Sequence, residues 1–349
     1  MGNYLGKTND EKDESAKNLK PICMFGCLSD IQYADCNDLH QKYKKSRYYR
    51  NSVNLVKQAV DDWKKIEKYE DLKLSFILQL GDLIDGKCKA NGDSIKSMNM
   101  ILNELNKMFT NSREESSLNQ VKILNAWGNH EMYNFTRSYL VNTQLNTARL
   151  LNQNLDSNAN YYSIKVTSNL KLICLDMYEI SILGYKENEQ RFVESLKILQ
   201  DVNHNKDLNS GNGLPKYHKQ YVAYNGTISR TQYDWLDKEL KQCESEGSKA
   251  IVSGHIPLHH KAANLKSTAW LSNDILKLMR SFNGIVVAYL AGHCHDGGYF
   301  KDNSNIHHLT FKAIVETHPS SNSYATFKVF DDRILVDGVG EIPKFEIML

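Results

Sequence analysis

The stretch Leu74–Gly86, Leu-Ser-Phe-Ile-Leu-Gln-Leu-Gly-Asp-Leu-Ile-Asp-Gly, constrains the fold of this chain more than any other. A short apolar run bounded by a turn signal fits a buried strand, and Gly81 ends it sharply. The turn presents Asp82 at the carboxyl end of that strand, where open α/β sheets collect their ligands. Gly-Asp alone is an ordinary turn dipeptide, so its weight depends on what stands at the ends of the other strands.

Those strands read as follows. Pro21–Leu28 is a first strand that runs into Ser29-Asp30-Ile31-Gln32-Tyr33-Ala34-Asp35, and Asp35–Lys45 is polar loop. From Ser46 a helix is expected, with Val53, Val56, Val60 and Trp63 at helical spacing. Val121–Trp127 is a third strand ending in Gly128-Asn129-His130-Glu131. Tyr161–Val166 and Leu170–Asp176 pair around Ser168-Asn169. Lys249–Ser253 ends at Gly254-His255-Ile256-Pro257, and Ile285–Leu290 runs into Ala291-Gly292-His293-Cys294-His295-Asp296-Gly297-Gly298. Helices are expected over Ser94–Phe109, Glu187–Gln200, Ser229–Cys243 (capped by Ser229) and Leu271–Phe282. His204–Gln220 reads as an irregular insertion, and Ile306–Phe311, Ala325–Phe330 and Ile334–Asp337 as short late strands. Strands alternating with helices early and crowding late predict an α/β sandwich of mixed sheets. Residues 1–19 are expected to be a disordered polar tail and 20–349 a single domain.

The totals narrow the function classes. With 349 residues, 41% of them hydrophobic, the chain can bury a sizeable core. A net charge of +2 argues against a nucleic-acid or membrane partner. Seven cysteines without paired spacing point to free thiols and a cytoplasmic location, so the Asn-x-Thr matches at Asn134 and Asn225 are expected by chance. No run is long enough to span a bilayer, and Gly6 departs from a myristoylation signal.

The five turns together offer Asp30, Gln32, Asp82, Asn129, His130, His255, His293 and His295. A strand ending in a tight turn holds a short side chain rigidly toward a shared crevice. Two Asp, one Gln, one Asn and three of the four His supply oxygen and imidazole without thiolate, a set suited to Mn²⁺, Fe²⁺ or Zn²⁺. Two metals sharing one carboxylate, that of Asp82, is the economical arrangement for so many donors.

Asp-x-Gln, Gly-Asp-x-x-Asp-Gly, Gly-Asn-His-Glu, Gly-His and Gly-His-Cys-His resemble the five blocks of the calcineurin-like metallophosphoesterase superfamily. Gln32 stands where that superfamily usually has His. This departure, with Arg47-Tyr48-Tyr49-Arg50, Trp127–Phe135, Tyr224-Asn225-Gly226, Gly292–Tyr299 and Val315-Glu316-Thr317, is similar to the Mn²⁺-dependent ADP-ribose/CDP-alcohol diphosphatases. The resemblance covers residues 20 to 349. It implies a sandwich of two mixed β-sheets flanked by helices. It implies one metal held by Asp30, Gln32 and His295, a second held by Asn129, His255 and His293, and Asp82 between them. It gives His130 a catalytic place facing the leaving group or the phosphoryl oxygens. Two divalent ions, Mn²⁺ first and Fe²⁺, Zn²⁺ or Mg²⁺ as alternatives, then activate hydroxide to attack phosphorus. The implied substrates are ADP-ribose, cleaved to AMP and ribose 5-phosphate, and CDP-alcohols. Cyclic-nucleotide or phosphomonoester hydrolysis is the alternative, and an inactive scaffold a remote one.

Outside the donors, Tyr33, Arg47 and Asn134 are candidates for substrate contact. Arg47 has two readings, a clamp on a distal phosphate or a solvated arginine at a helix start. Asp85, Asp35 and Glu131 are expected to lie behind the donors, the last two accepting from histidine N–H groups. Cys294 is expected to point into packing, and His259 to be the remaining histidine nearest the cleft. The chain is expected to act as a monomer on a small nucleotide diphosphate.

Overall fold

Alternation along a strand decides which side chains go to which face. In the computed structural model, which describes residues 20–40, 45–110, 121–153 and 158–349, strand β1 (Cys23–Leu28) sends Phe25 and Cys27 one way and Met24 and Leu28 the other. All four are fully buried, because β1 lies between a second sheet and a layer of helices. The remaining strands are β2 (Leu74–Gln79), β3 (Ile123–Asn125), β4 (Tyr162–Thr167), β5 (Leu170–Leu175) and β6 (Lys249–Gly254). They continue with β7 (Val286–Ala291), β8 (Gly298–Lys301), β9 (His307–Thr310), β10 (Ser323–Val329), β11 (Arg333–Gly340) and β12 (Phe345–Met348).

One sheet has the order β12-β11-β10-β1-β2-β3 and the other β4-β5-β6-β7-β9-β8. Both are mixed. In the first, β1, β2 and β3 are parallel while β10, β11 and β12 pair antiparallel. In the second, β5, β6, β7 and β9 are parallel and the edges β4 and β8 antiparallel. Parallel strands share a direction, so the turns after β1, β2 and β3, and after β6 and β7, come out at the same ends of their sheets.

Between the sheets, Phe25 stacks on Phe76 and on Phe327, each at 4.7 Å between ring centres. Tyr162, Leu172, Ile251 and Leu290 close the same core from the other sheet. Burying each such side chain stabilises the fold by about 1.5–3 kcal/mol relative to exposure. On the outer face, helix Ser52–Glu70 buries Leu55, Val56, Ala59, Val60 and Trp63. Gly26 is required there: a Cβ would come within 2.6 Å of the Trp63 indole. Ser229 caps helix Arg230–Glu246 through Gln232 N at 3.1 Å, as its sequence position predicts.

Several boundaries differ. The first helix starts at Ser52 rather than Ser46, because Arg47 is paired with Leu39 in a short bridge. β3 is three residues long, shorter than Val121–Trp127, since the chain turns off to bring Asn129 to the cleft. β8 and β12 carry no clear pattern in the sequence, being four-residue edge strands with half-exposed faces. The insertion at 204–220 is irregular apart from one short turn at Lys216–His218 and is braced by the side-chain amides of Asn203 and Asn205. The expected tail over 1–19 lies outside the described residues. Among the described residues no helix is long and apolar enough to cross a membrane.

Candidate metal centre

Five turns meet above the carboxyl ends of β1, β2, β3, β6 and β7. Four of their donors, Asp30 (φ 51°), Gln32 (φ 41°), Asp82 (φ 58°) and His293 (φ 64°), sit in the left-handed region. That conformation costs an L-residue roughly 1–2 kcal/mol, and such strain persists only where the surroundings enforce it. Here the turns enforce one another: Asp30 N donates to Gly81 O at 3.1 Å, Gln32 N to Asp82 O at 2.9 Å, and Val315 N to Asp30 O at 3.1 Å. The buried Glu131 carboxylate accepts from the backbone N–H of Asp82, Leu83 and Gly128 at 2.7–2.8 Å. Gly292 lets the last turn approach the first, since a Cβ there would overlap the Ser29 hydroxyl and the Asp30 carboxylate.

Asp82 is the centre of the arrangement. Its Oδ2 lies 2.9 Å from Gln32 Nε2, 3.4 Å from His255 Nε2 and 3.9 Å from His130 Nε2, and its Oδ1 accepts from His130 N at 2.8 Å. Asp30, Asp82 and His255 bring ligand atoms within 4.8 Å of one another. His295 Nε2 stands 3.5 Å from Asp30 Oδ1 and 2.9 Å from Gln32 Nε2. On the far side His293 Nδ1 is 3.0 Å from Asn129 Oδ1, and that oxygen accepts from the Tyr178 hydroxyl at 3.1 Å.

The histidines are held from behind. His255 Nδ1 faces Leu80 O at 2.7 Å and His295 Nδ1 faces Glu316 Oε1 at 2.6 Å, which leaves each Nε2 toward the acidic centre. His130 is set differently, because Gly86 N donates to its Nδ1 at 2.9 Å. Its Nε2 therefore carries the proton, on the side of Asp82.

The electrostatics are those of a cation site. Burial works to raise the Asp82 carboxyl, but His255 and His130 hold it far below the usual carboxylate range. Burial works to lower His255, yet Asp82 carries it up to about 9. Asp30 is raised, chiefly by burial. His293 is lowered well below the ordinary value by burial and the facing His255. Gln32 Oε1 and His255 Nε2 are buried without a hydrogen-bond partner. Orphaned polar atoms cost about 1–3 kcal/mol each, and a divalent ion would satisfy both. The residues present fit a pair of such ions.

All seven expected donors come together, and His130 with them. Of the other candidates, Arg47 lines the cleft and bonds Glu316 Oε1 through Nε at 3.1 Å. Asp85 is buried behind His130 Nδ1 at 3.4 Å. Tyr33 is not in the cleft lining; its backbone bridges Ile84, and its carbonyl accepts from the Cys88 thiol. Asn134 is buried, donating to Asp85 O and His130 O and accepting from Ser94, so it braces the turn instead of facing a substrate. Asp35 is a correction: it is exposed and paired with Arg50 at 2.6 Å rather than with a histidine. Glu131 is a partial one, for its three partners are backbone N–H groups rather than imidazoles. His259 stacks on Phe300 and His260 outside the cleft lining, and Cys294 is buried against Asn264.

Two residues behind the histidines lie outside the candidates the sequence offers, Glu316 behind His295 and Asn225 behind His293 at 2.7 Å. Neither follows a strand–glycine turn. Their sequence signal is their place in Val315-Glu316-Thr317 and Tyr224-Asn225-Gly226, stretches that carry the resemblance.

A family model described as calcineurin-like phosphoesterase matches residues 28–297, from the end of β1 through the His293–His295 turn. The chain belongs to the calcineurin-like phosphoesterase family. Among its relatives, the manganese-dependent ADP-ribose/CDP-alcohol diphosphatase of Mus musculus is 34% identical over 333 residues, 93% of this chain and 92% of that one. The Homo sapiens protein of the same name is 32% identical over 327 residues, 91% and 90% of the two chains. A crystal structure of a dimetal phosphatase from Danio rerio superposes with a TM-score of 0.84 at 31% identity, covering 94% of this chain and 99% of that one. This calcineurin-like phosphoesterase thus has the two mixed sheets flanked by helices that its motifs imply.

Proposed function

We propose that this chain hydrolyses the pyrophosphate bond of ADP-ribose and of CDP-alcohols, with manganese as the metal. The observation that carries the reading is the convergence of six oxygen and imidazole donors on Asp82, two of them with buried atoms lacking a hydrogen-bond partner. The names of the full-length relatives supply the substrate class and the metal.

Asp30, Gln32 and His295 would hold one ion, Asn129, His255 and His293 the other, with Asp82 between. Turning the Gln32 amide over brings its orphaned Oε1 to the place where Nε2 now meets Asp82 and His295. When bound, such a pair supplies Lewis acidity toward phosphoryl oxygens and lowers the pKa of water toward neutrality. His130 offers an Nε2 proton on the cleft side, suited to the leaving phosphate. Lys45 and Arg47 put positive charge at the rim of a cleft of about 520 Å³, with Glu316 holding the Arg47 guanidinium in place. A diphosphate engages both the floor and this rim.

One folded unit over 20–349 acting as a monomer is part of the proposal, since one chain supplies every donor. All seven cysteines are free, which suits the cytoplasm. Product analysis after incubating the manganese-loaded protein with ADP-ribose and with CDP-choline tests the activity: AMP with ribose 5-phosphate, and CMP with phosphocholine, are expected. Hydrolysis of cyclic AMP with none of ADP-ribose would replace the reading. Asp82→Asn is expected to lose metal and activity together.

A further inference from the structure

One buried amide joins this centre to the loops that wall its cleft. Asn225 is fully buried, and its Nδ2 sits among three carbonyl oxygens, Gln220 O at 2.8 Å, Lys266 O at 2.6 Å and Thr268 O at 3.1 Å. Placing an oxygen there would set four acceptors against one another with no donor between them, so the amide has one orientation. Its Oδ1 then points at His293 Nε2, 2.7 Å away. An amide oxygen only accepts, so Nε2 carries the hydrogen and Nδ1 is left bare toward Asn129 Oδ1 at 3.0 Å. Two acceptors that close, with no proton between them, make a place for a cation.

His255 and His295 are held the other way round, with Nδ1 against Leu80 O and Glu316 Oε1. One of the three rings is therefore reversed, and the residue that reverses it is Asn225. The same amide ties that ring to the segment 264–268, whose Asn264 and Ser267 line the cleft. Its burial also removes Asn225 from the reach of glycosylation despite the Asn-Gly-Thr sequence.

We propose that Asn225 is a positioning residue that fixes His293 in its Nε2-protonated form with Nδ1 toward the cleft. The proposal rests on the reading that His293 serves a bound metal. It is tested by long-range proton–nitrogen NMR on the full chain labelled with ¹⁵N-histidine, metal-free and loaded with diamagnetic Zn²⁺, with His293→Ala assigning the ring. His293 is expected to carry its proton on Nε2 in both states, while in the zinc-loaded state His255 and His295 carry theirs on Nδ1. In Asn225→Ala the His293 preference is expected to be lost and the manganese concentration for half-maximal activity to rise by about 10–100-fold, with kcat at saturating manganese changed far less. A His293 proton on Nδ1 in the unsubstituted protein overturns the proposal, and that measurement decides even if Asn225→Ala does not fold. A chain that takes up no metal sinks the functional reading instead, because the metal-free tautomer is still read.

Discussion

Glu316 Oε1 accepts from His295 Nδ1 at 2.6 Å, and the same oxygen accepts from Arg47 Nε at 3.1 Å. Burial opposes ionisation of Glu316, but the contact with His295 holds its carboxyl below the ordinary range. One carboxylate thus orients a proposed metal ligand and a proposed substrate contact. Glu316→Ala is expected to weaken metal binding by about 10–100-fold, the usual effect of removing a carboxylate behind a ligating histidine. A manganese titration of activity reads this, and an unchanged half-saturation point would show that the carboxylate does not serve the metal.

The Arg47 guanidinium divides its contacts between Glu316 and the cleft. Charge-assisted hydrogen bonds contribute about 1.5–3 kcal/mol, on the order of 10- to 100-fold in kcat/KM. Arg47→Ala is expected to lose that factor mainly through KM. Arg47→Lys is expected to recover only part of it, because an ammonium cannot reach Glu316 and a phosphate with one rigid fork. Steady-state kinetics on ADP-ribose with manganese saturating separates the two terms, and a loss confined to kcat would remove Arg47 from substrate binding.

His130 touches Asp82 through its backbone N–H, while its ring proton is free for the cleft. His130→Ala is expected to keep both metals and to lower kcat by about 10²–10⁴-fold, the range for proton transfer to a leaving group. The loss is expected to shrink on a p-nitrophenyl ester, whose leaving group needs no proton. An equal loss on both substrates would make the residue structural.

What the sequence revealed and what it hid follow from one physical difference. Asp82, Asn129, His255 and His293 each stand at the end of a buried apolar strand next to a glycine, so both strand and turn leave a local mark. Asp30 lacks the adjacent glycine but has the strand. Glu316 and Asn225 act through contacts 21 and 68 residues away along the chain, and no local pattern encodes such a pairing. Asp35 shows the converse: it is close to Gln32 in sequence, yet the chain turns it outward to Arg50. Tyr33 fails in the same way, since the left-handed Gln32 before it redirects the backbone toward Ile84.

The last prediction concerns protons. In the metal-free protein burial lowers His255 but Asp82 carries it up to about 9, from an ordinary 6.5. Because the folded value is the higher one, the pair stabilises the metal-free fold fully below about pH 6.5, and that contribution fades as pH rises through about 9. Metal binding runs the opposite way, since a ligating Nε2 must first lose its proton. Manganese affinity is therefore expected to increase with pH up to about 9, by about tenfold per unit for each proton displaced. Calorimetry at pH 7.5 in two buffers of different ionisation enthalpy is expected to register at least one proton released per chain. Zero release would mean that His255 Nε2 either is unprotonated beforehand or never meets the metal, and the shared-carboxylate geometry would then need another ligand in its place.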